Sequence, residues 1–366
     1  MIRQYLLTTR DADRWRELLP TSACVMGGLE HALITERQTG CPARLFVAEA
    51  EGVRVAYPFF LRPVAELPFA GRLEKERFDT FTPEYTGPLK FGDGPLGTSG
   101  DPEFAELVAR LFQEQGVIAE FAHLNPWQAG VELLDAGGVE LNREIVYIDL
   151  TWGEEAIWNR SFSTDARRHT RVSQREGVRV RLAESPDDVR EFHRLYAQTM
   201  ERRSATERYH FPADYFLAFF DTMPLHARFL LAERQGRAIA GGMFLFDDTT
   251  LYWHLSGADR EVARLNGVSA YVDEAVRWGV RTGRKRMLLG GSYAANDGVL
   301  HFKAGFSPLR AQFRVYKHVH DLEAYEALAS AWSAQCGGRP LHPGFFPIYR
   351  SASVEPGLAA ATFSPG

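Results

Sequence analysis

The chain has 366 residues, of which 45% are hydrophobic and 12% aromatic, and its formal net charge at pH 7 is -5. This length exceeds that of one typical domain, so we expect two domains with separate cores. With this small negative charge, the protein as a whole does not attract DNA or another polyanion. A local basic face could still bind an anion.

Membrane and disulfide signals are missing from the sequence. No segment approaches the about 18 consecutive apolar residues of a membrane span, and the opening MIRQYLLTTRDADRWRELL lacks the apolar run of a signal peptide. We therefore expect a soluble, cytoplasmic protein without a transmembrane segment. Cys24, Cys41 and Cys336 are far apart and outside any zinc-ligand spacing, so we expect reduced, buried cysteines and no bound metal.

The chain contains an internal repeat. The segments LFVAEAEGVRVAYPFFL (45–61) and LLAERQGRAIAGGMFLF (230–246) share Ala-Glu, a Gly and an Ala at a constant offset of 184 residues. Each predicts a strand, a Gly-containing turn and a second strand. Any two hairpins can share four identities, but a helix (102–115) and a strand follow the first segment, and a strand, a helix (266–281) and a strand follow the second. We expect two similar modules at 1–151 and 152–350, then a disordered tail at 351–366.

The order of elements in the second module predicts its fold class. A helical region (about 154–220) precedes an antiparallel meander (226–233, 238–246, 249–256), which is followed by a loop, a helix, a strand, a short helix and a last strand. This order predicts an α/β protein with a mixed sheet and helices on both faces. It resembles the GNAT acyltransferase fold, and the repeat then implies two tandem GNAT-like domains.

The loop before the 266–281 helix reads RLNGVS. In GNAT enzymes a loop Gln/Arg-x-x-Gly-x-Gly/Ala binds a pyrophosphate through backbone N–H groups at a helix N-terminus. Arg264 and Gly267 match this pattern, whereas Ser269 departs from it and so from a standard acetyl-CoA site. The resemblance implies donor binding by Arg264, Asn266, Gly267 and Ser269; the alternative is an ordinary turn and helix start.

Lys303 is one of only five lysines and lies in GGSYAANDGVLHFKAGFSP (290–308). Its Phe-Lys followed by Gly-Phe resembles a motif near the end of the second domain in the FemABX family, peptidyltransferases that move an amino acid from aminoacyl-tRNA to an amine. The resemblance implies that Lys303 stabilises the oxyanion of the tetrahedral intermediate and that Phe302 stacks on the terminal adenine, with Gly291 and Ser292 on the donor side. The alternative is a solvated surface lysine.

Two more segments resemble the same family. FDTFTPEYTGPL (78–89) is similar to a Thr-Pro…Tyr-x-Gly-Pro segment of the first domain, and FFPIYR (345–350) is similar to the closing segment. The resemblance implies a first domain that walls the acceptor side of a cleft. The predicted acceptor residues are Asp79, Thr82, Tyr85, Gly87, Tyr252 and His254. Among these, His254 and Asp79 are the nearest options for a proton acceptor, although each is as readily a structural residue.

Seven arginines crowd residues 160–181, and Arg168, Arg171 and Arg175 recur on one face of a helix that Gly177 would end. Together with Arg167 they predict an anion-binding face for a tRNA acceptor stem, a nucleotide diphosphate on the acceptor or another anionic polymer. The alternative is a solvated helix paired with nearby acids.

These features favour an enzyme that transfers an amino acid from aminoacyl-tRNA, its co-substrate, to an amine of a cell-wall (peptidoglycan) precursor or a small molecule, without a permanently bound cofactor. Two alternatives stay open. One is an N-acyltransferase that uses acetyl-CoA or another acyl-CoA in an exopolysaccharide, lipid or small-molecule pathway. The other is a non-catalytic binding protein on a GNAT scaffold.

Overall fold

The computed structural model describes residues 2–71, 76–96, 102–128, 130–291, 298–337 and 344–351. Within these ranges the strands are β1 (Arg3–Thr8), β2 (Ala43–Ala50), β3 (Val53–Pro63), β4 (Phe78–Phe81), β5 (Leu89–Phe91), β6 (Val117–His123), β7 (Val139–Asp149), β8 (Arg179–Leu182), β9 (Ala227–Arg234), β10 (Arg237–Phe246), β11 (Thr250–Ala258), β12 (Arg286–Gly290) and β13 (Arg310–Val319). The α-helices are α1 (Ala12–Leu18), α2 (Leu29–Thr39), α3 (Pro102–Glu114), α4 (Gly153–Ala156), α5 (Thr164–Arg175), α6 (Pro186–Arg202), α7 (Ala213–Thr222), α8 (Gly267–Arg281), α9 (Gly298–Ala304) and α10 (Leu322–Gln335).

All of these strands belong to one mixed sheet. Its order is β1-β2-β3-β4-β6-β13-β7-β12-β11-β10-β9-β8, and β5 pairs with β3 away from this path. The prediction of a mixed α/β sheet is therefore confirmed. None of the helices in the described ranges combines the length and apolar character that a membrane crossing needs.

The predicted repeat corresponds to two equivalent hairpins, β2–β3 and β9–β10. Their turns are Glu51-Gly52 and Gln235-Gly236, and all four residues have positive φ, at 48°, 83°, 54° and 76°. Two-residue turns with positive φ at both positions match the twist of antiparallel strands. After its hairpin each half continues with a parallel strand pair, β4 with β6 and β11 with β12, so the two halves share one order of elements.

The halves exchange their last strands. β7 comes from the first half of the chain but pairs antiparallel with β12, with Ile148 opposite Met287. β13 comes from the second half but pairs antiparallel with β6, with Val315 opposite His123. β7 and β13 also pair with each other and join the halves into one sheet. The division of the chain into domains at residue 151 stays a prediction, because β7 lies before this point and completes the second half of the sheet.

The core also crosses between the halves. One buried cluster combines Val25 and Ile34 of the first half with Phe192 and Phe216 of the second. Helices α2 and α7 meet in this cluster, where the ring of buried His31 lies 5.9 Å from the ring of Phe219. The two halves therefore pack as a single unit, and residues from both can contribute to one site.

Some local predictions need correction. The region expected to be helical from 154 to 220 contains the strand β8, whose residues alternate between exposed and half-buried. β8 is an edge strand, and its exposed arginines are the kind of charged residue that protects sheet edges from pairing with another chain. The expected tail at 351–366 begins one residue too early, because Ser351 is buried and donates to the carbonyl of Ile348; residues 352–366 lie outside the described residues. Cys24 and Cys41 are buried as predicted, whereas Cys336 is partly exposed, and all three are free thiols.

Candidate functional site

The parallel strands β11 and β12 separate in the middle of the sheet. Their ladder consists of three residue pairs, from Thr250–Arg286 to Tyr252–Leu288. Past it, β11 continues to Ala258 while β12 ends at Gly290. We call the space between these diverging ends the strand gap. Such a gap gives a substrate access to backbone and side-chain groups that a continuous sheet would cover.

Lys303 lies at the strand gap. The short helix α9 carries it, and its Nζ donates to the carbonyl of Gly291 at 2.8 Å and lies 5.9 Å from the ring centre of Trp253. A Cβ at Gly290 would lie 3.3 Å from this Nζ, and a Cβ at Gly291 would lie 2.9 Å from the carbonyl oxygen of Glu144. Gly290 therefore leaves room for the ammonium group at the end of β12, and Gly291 leaves room for the backbone of β7.

Phe302 differs from its predicted role. Its ring is partly buried against the core and packs edge-on against Phe306 at 5.2 Å and Trp253 at 6.5 Å between ring centres. Its described ring contacts are thus with aromatic residues of the protein. In this arrangement Phe302 anchors α9 and thereby positions Lys303.

Tyr85 reaches the strand gap from the first half. Its ring stacks on Tyr252 at 5.9 Å and packs against Phe313 at 4.9 Å. Its hydroxyl oxygen would lie 3.7 Å from a Cβ at Gly290, so it approaches the same glycine as Lys303. The φ of Tyr85 is 55°, a left-handed conformation that costs a bulky residue energy and that often occurs at functional sites. Burial raises the pKa of the Tyr85 hydroxyl, which therefore stays protonated.

Tyr252 supports the site through its ring. The side chain is buried, and its hydroxyl donates to Oδ2 of Asp247 at 3.3 Å. Burial and the Asp247 carboxylate raise the pKa of Tyr252 well above its usual value. Its hydroxyl is thus bonded within the protein, and Tyr252 holds the ring of Tyr85 instead of contacting an acceptor through its oxygen.

His254 is a neutral imidazole next to this region. Its Nε2 is buried and has no hydrogen-bond partner within the residues that the structure describes. Burial lowers the pKa of His254 to about 4, and the opposing effect of the Glu84 carboxylate is smaller. His254 is therefore uncharged near pH 7.

Glu84 is a functional candidate that the sequence analysis missed. Its side chain is 30% exposed, and Oε1 lies 4.0 Å from Nη2 of Arg143, which stacks on Phe313. Burial raises the pKa of Tyr85 and of Tyr215 in the second half, and the negative charge of Glu84 adds to both shifts. At His254 the same charge opposes the larger lowering of the pKa by burial. The available signal was that Glu84 is the one carboxylate in the TPEYTGPL segment.

Three predicted acceptor residues have structural roles instead. Asp79 is fully buried, and its carboxylate accepts hydrogen bonds from the Tyr349 hydroxyl and the Arg350 guanidinium. Thr82 is also buried, and its Oγ1 accepts from the backbone N–H of His123 at 2.8 Å. Gly87 has φ 73°, and a Cβ there would lie 2.8 Å from the side chain of Leu124. The prediction that Asp79 and Thr82 face a cleft is therefore wrong, because internal partners use their polar groups.

The predicted donor loop turns sharply into α8. Asn266 has φ 54°, and its Nδ2 donates to the carbonyl of Arg264 at 2.8 Å. Gly267 packs closely on β10, since a Cβ there would lie 2.9 Å from Cβ of Ala240. Ser269 is buried, while the Arg264 side chain is exposed. Donor binding by this loop stays a prediction, and Ser292 lies outside the described residues.

The arginine-rich helix α5 presents three of its four predicted arginines to solvent. Arg168, Arg171 and Arg175 are exposed, and we call them the arginine stripe. Arg168 pairs with Asp165 at 3.1 Å, and the guanidinium of Arg171 lies 5.4 Å from the ring centre of Trp158. The helix faces the core with Ala166, Thr170 and Ser173.

Arg167 does not belong to the stripe. Its Nη1 donates to the backbone carbonyls of Phe162 (2.7 Å), Asn159 (3.1 Å) and Trp158 (3.2 Å). This arginine therefore closes the end of the preceding helical turn. The start of α5 lies next to α9, because the N–H of Ser163 donates to the carbonyl of Gly305 at 2.8 Å. The arginine stripe and Lys303 are thus carried by neighbouring segments.

Comparisons with known proteins agree with this architecture. Residues 160–304 match the acetyltransferase (GNAT) domain family, and no curated protein matches the sequence. The crystal structure of FemX superposes with a TM-score of 0.67 and 11% identity, over 88% of this chain and 99% of FemX. A conserved protein of unknown function from Bacteroides thetaiotaomicron superposes with a TM-score of 0.54 and 13% identity, over 87% of this chain and 99% of its own. A tandem GNAT protein from the clavulanic acid biosynthesis pathway has a TM-score of 0.48 and 11% identity, over 87% of this chain and 99% of its own.

The likeness to FemX confirms the predicted fold. The chain has a FemX-like fold, in which one mixed α/β sheet is built from two halves with the same order of elements. The family match covers most of the second half, including α5, the loop before α8 and Lys303. The strand gap lies within the segment that matches the GNAT family, and it is the candidate active site.

Proposed function

We propose that this protein transfers an aminoacyl group from aminoacyl-tRNA to the amine of a cell-wall precursor or a small molecule, with Lys303 at the reaction centre. The observation that carries the proposal is the position of the Lys303 ammonium, which Gly291 and Trp253 contact at the open end of β12. A fixed cation at this place can stabilise the negatively charged oxygen of a tetrahedral intermediate.

In the proposed reaction the acceptor amine attacks the carbonyl carbon of the aminoacyl ester. A C–N bond forms, the C–O bond to the terminal ribose breaks, and the amine proton ends on the leaving ribose oxygen. The chain stabilises the oxyanion through Lys303. A lysine suits this task because its ammonium is a compact point charge.

The arginine stripe supports tRNA as the donor. It lies on α5, whose first turn is bonded to the segment that follows Lys303. Exposed guanidinium groups bind phosphates through charge-assisted hydrogen bonds, so they can hold an acceptor stem beside the strand gap. Ser269, at a position where the GNAT pattern has Gly or Ala, supports the same choice.

Two residues beside the strand gap, Glu84 of the first half and His254 of the second, support an amine as the acceptor. The partly exposed Glu84 carboxylate can attract an ammonium group, and the neutral His254 adds no repulsive positive charge. In this proposal Glu84 orients the acceptor and accepts its extra proton before the attack.

Acyl-CoA is a second candidate donor. The match to a GNAT acetyltransferase family and the helix N-terminus at Gly267, where backbone N–H groups can bind a pyrophosphate, favour it. In that case the transferred group would come from a thioester, while the role of Lys303 would be unchanged.

Binding measurements can separate the two donors. The protein is titrated, in one buffer of stated salt, with aminoacyl-tRNA, uncharged tRNA and acetyl-CoA. We expect the tightest binding to aminoacyl-tRNA and little binding to acetyl-CoA. Saturable acetyl-CoA binding without tRNA binding would establish the second candidate, and binding of neither donor would contradict both.

A further inference from the structure

The second half of the protein contains a cavity that the strand gap does not include. It measures about 130 Å³ and lies between α8 and the outer strands β8 to β11. Its walls are mainly apolar and include Leu182, Leu230, Phe244 and Leu251. Leu251 precedes Tyr252 on β11, and consecutive strand residues face opposite sides of a sheet. The cavity therefore lies on the face of the sheet opposite to the buried ring of Tyr252.

A cation that has no ion pair among the described residues lines this cavity. The guanidinium carbon of Arg228 lies 4.7 Å from the ring centre of Trp278, and its Nε is buried without a hydrogen-bond partner in the described ranges. The guanidinium of Arg284 lies 5.0 Å from the same ring. Burial and this second positive charge lower the pKa of Arg228. The two arginines repel each other, and an anion bound to Arg228 in the cavity would relieve that repulsion.

The other charged residues of the cavity have partners within the protein. Arg181 pairs with Asp188 at 2.6 Å and with Glu233 at 2.8 Å. Glu274 pairs with Arg281 at 2.8 Å. Arg228 is therefore the cation of the cavity lining that has no ion pair among the described residues.

We infer that this cavity binds a small organic monocarboxylate, with its apolar body against Leu230, Phe244 and Trp278 and its carboxylate on Arg228. An apolar cavity of about 150 Å³ holds benzene, so this space of about 130 Å³ suits an apolar body no larger than a phenyl ring. Guanidinium groups bind carboxylates through two parallel hydrogen bonds. The nearby negative charge of Glu274 disfavours dianions such as phosphate. This inference does not depend on the proposed transfer reaction.

Calorimetric titration of the full-length protein tests the inference. The probes are phenylacetate, the neutral 2-phenylethanol and inorganic phosphate. We expect saturable one-to-one binding of phenylacetate, binding of 2-phenylethanol that is on the order of tenfold weaker, and no competition by phosphate at equal concentration.

Two variants locate the site. Arg228→Gln removes the charge and should weaken phenylacetate binding on the order of tenfold or more. Ala275→Leu fills the cavity from α8 and should abolish binding while leaving Arg228 in place. Arg190→Gln on the exposed surface of α6 is the control and should bind like the unchanged protein. Circular dichroism confirms that each variant is folded. The inference would be overturned if phenylacetate binding did not saturate. It would also be overturned if Arg228→Gln and Ala275→Leu bound phenylacetate as tightly as the unchanged protein.

Discussion

The rings of Tyr85 and Tyr252 stack at 5.9 Å between their centres and join the two halves of the protein beside the strand gap. The contact places Tyr85 of the first-half TPEYTGPL segment against β11, and the end of β11 borders the strand gap. To make this contact, Tyr85 adopts a left-handed backbone conformation that is unfavourable for a bulky residue. The candidate site is therefore built by both halves together, and its geometry depends on contacts between them.

Replacement of Lys303 tests the reaction centre. Lys303→Ala should lower the rate of transfer about 100- to 1000-fold, as expected for the loss of an oxyanion donor. Lys303→Arg should also be impaired, because the planar guanidinium does not match a point charge. The measurement is single-turnover transfer of labelled amino acid, with the exposed Lys285→Ala as the matched control. A loss of less than tenfold in Lys303→Ala would exclude this role.

Tyr85 should matter for the stability of the interface. Tyr85→Ala removes a buried ring and should lower the free energy of unfolding by about 3–5 kcal/mol. Tyr85→Phe keeps both ring contacts and should cost less than about 1.5 kcal/mol. Urea denaturation measures both values. Equal destabilisation by the two variants would mean that the hydroxyl, and not the ring, carries the contact.

Asp79 should affect folding without affecting acceptor binding. Asp79→Asn leaves the buried Arg350 without its anionic partner, and we expect a loss of about 3–5 kcal/mol of stability. The folded fraction should keep an unchanged KM for the acceptor amine. Glu84→Gln is the comparison, since it should raise this KM with little effect on stability. A raised KM in Asp79→Asn would restore Asp79 as an acceptor ligand.

The arginine stripe predicts a salt-dependent contact with tRNA. Replacing Arg168, Arg171 and Arg175 with Ala should weaken tRNA binding and reduce the slope of log K against log salt by about one per lost phosphate contact. Arg167→Ala should instead lower the melting temperature, because it removes three hydrogen bonds to backbone carbonyls. Unchanged slopes in the triple variant would leave the stripe as a solvated surface.

Stability should decline in mild acid. Burial lowers the pKa of His31 to about 3 and that of His254 to about 4, from 6.5 in the unfolded chain. Below pH 6.5 the unfolded chain thus binds more protons than the folded protein, and each histidine costs up to about 1.4 kcal/mol per pH unit. Denaturation at pH 7, 6 and 5 measures the decline. His31→Gln should flatten it and the exposed His301→Gln should not; a flat profile in the unchanged protein would refute the prediction.

Local patterns predicted much of the fold. The hairpin turns at Glu51-Gly52 and Gln235-Gly236 require positive φ. The glycine at the same position in both copies of the repeat predicted these turns. The helix that starts at Gly267 and the last strand of the second half were also expected. The exchange of β7 and β13 was not, because pairing between distant strands depends on the shape of the assembled sheet and leaves no periodic signal.

The candidate site was harder to predict than the fold. Motifs rich in glycine and aromatic residues predicted roles for Lys303 and Tyr85, and the structure places both residues at the strand gap. Asp79 was misassigned because a carboxylate in a loop-like segment looks available, whereas its partners lie about 270 residues away in the sequence. Glu84 was missed because its position near His254 arises only when the first half packs on the second.

The order of the strands also has a consequence for synthesis of the chain on the ribosome. β13 occupies the place between β6 and β7, which emerge about 195 and about 170 residues earlier. Until β13 arrives, each of these strands has an edge with unpaired backbone groups, which could pair with another nascent chain. The sheet can close only after residue 319 has left the exit tunnel, so expression of either half alone should yield an aggregating fragment.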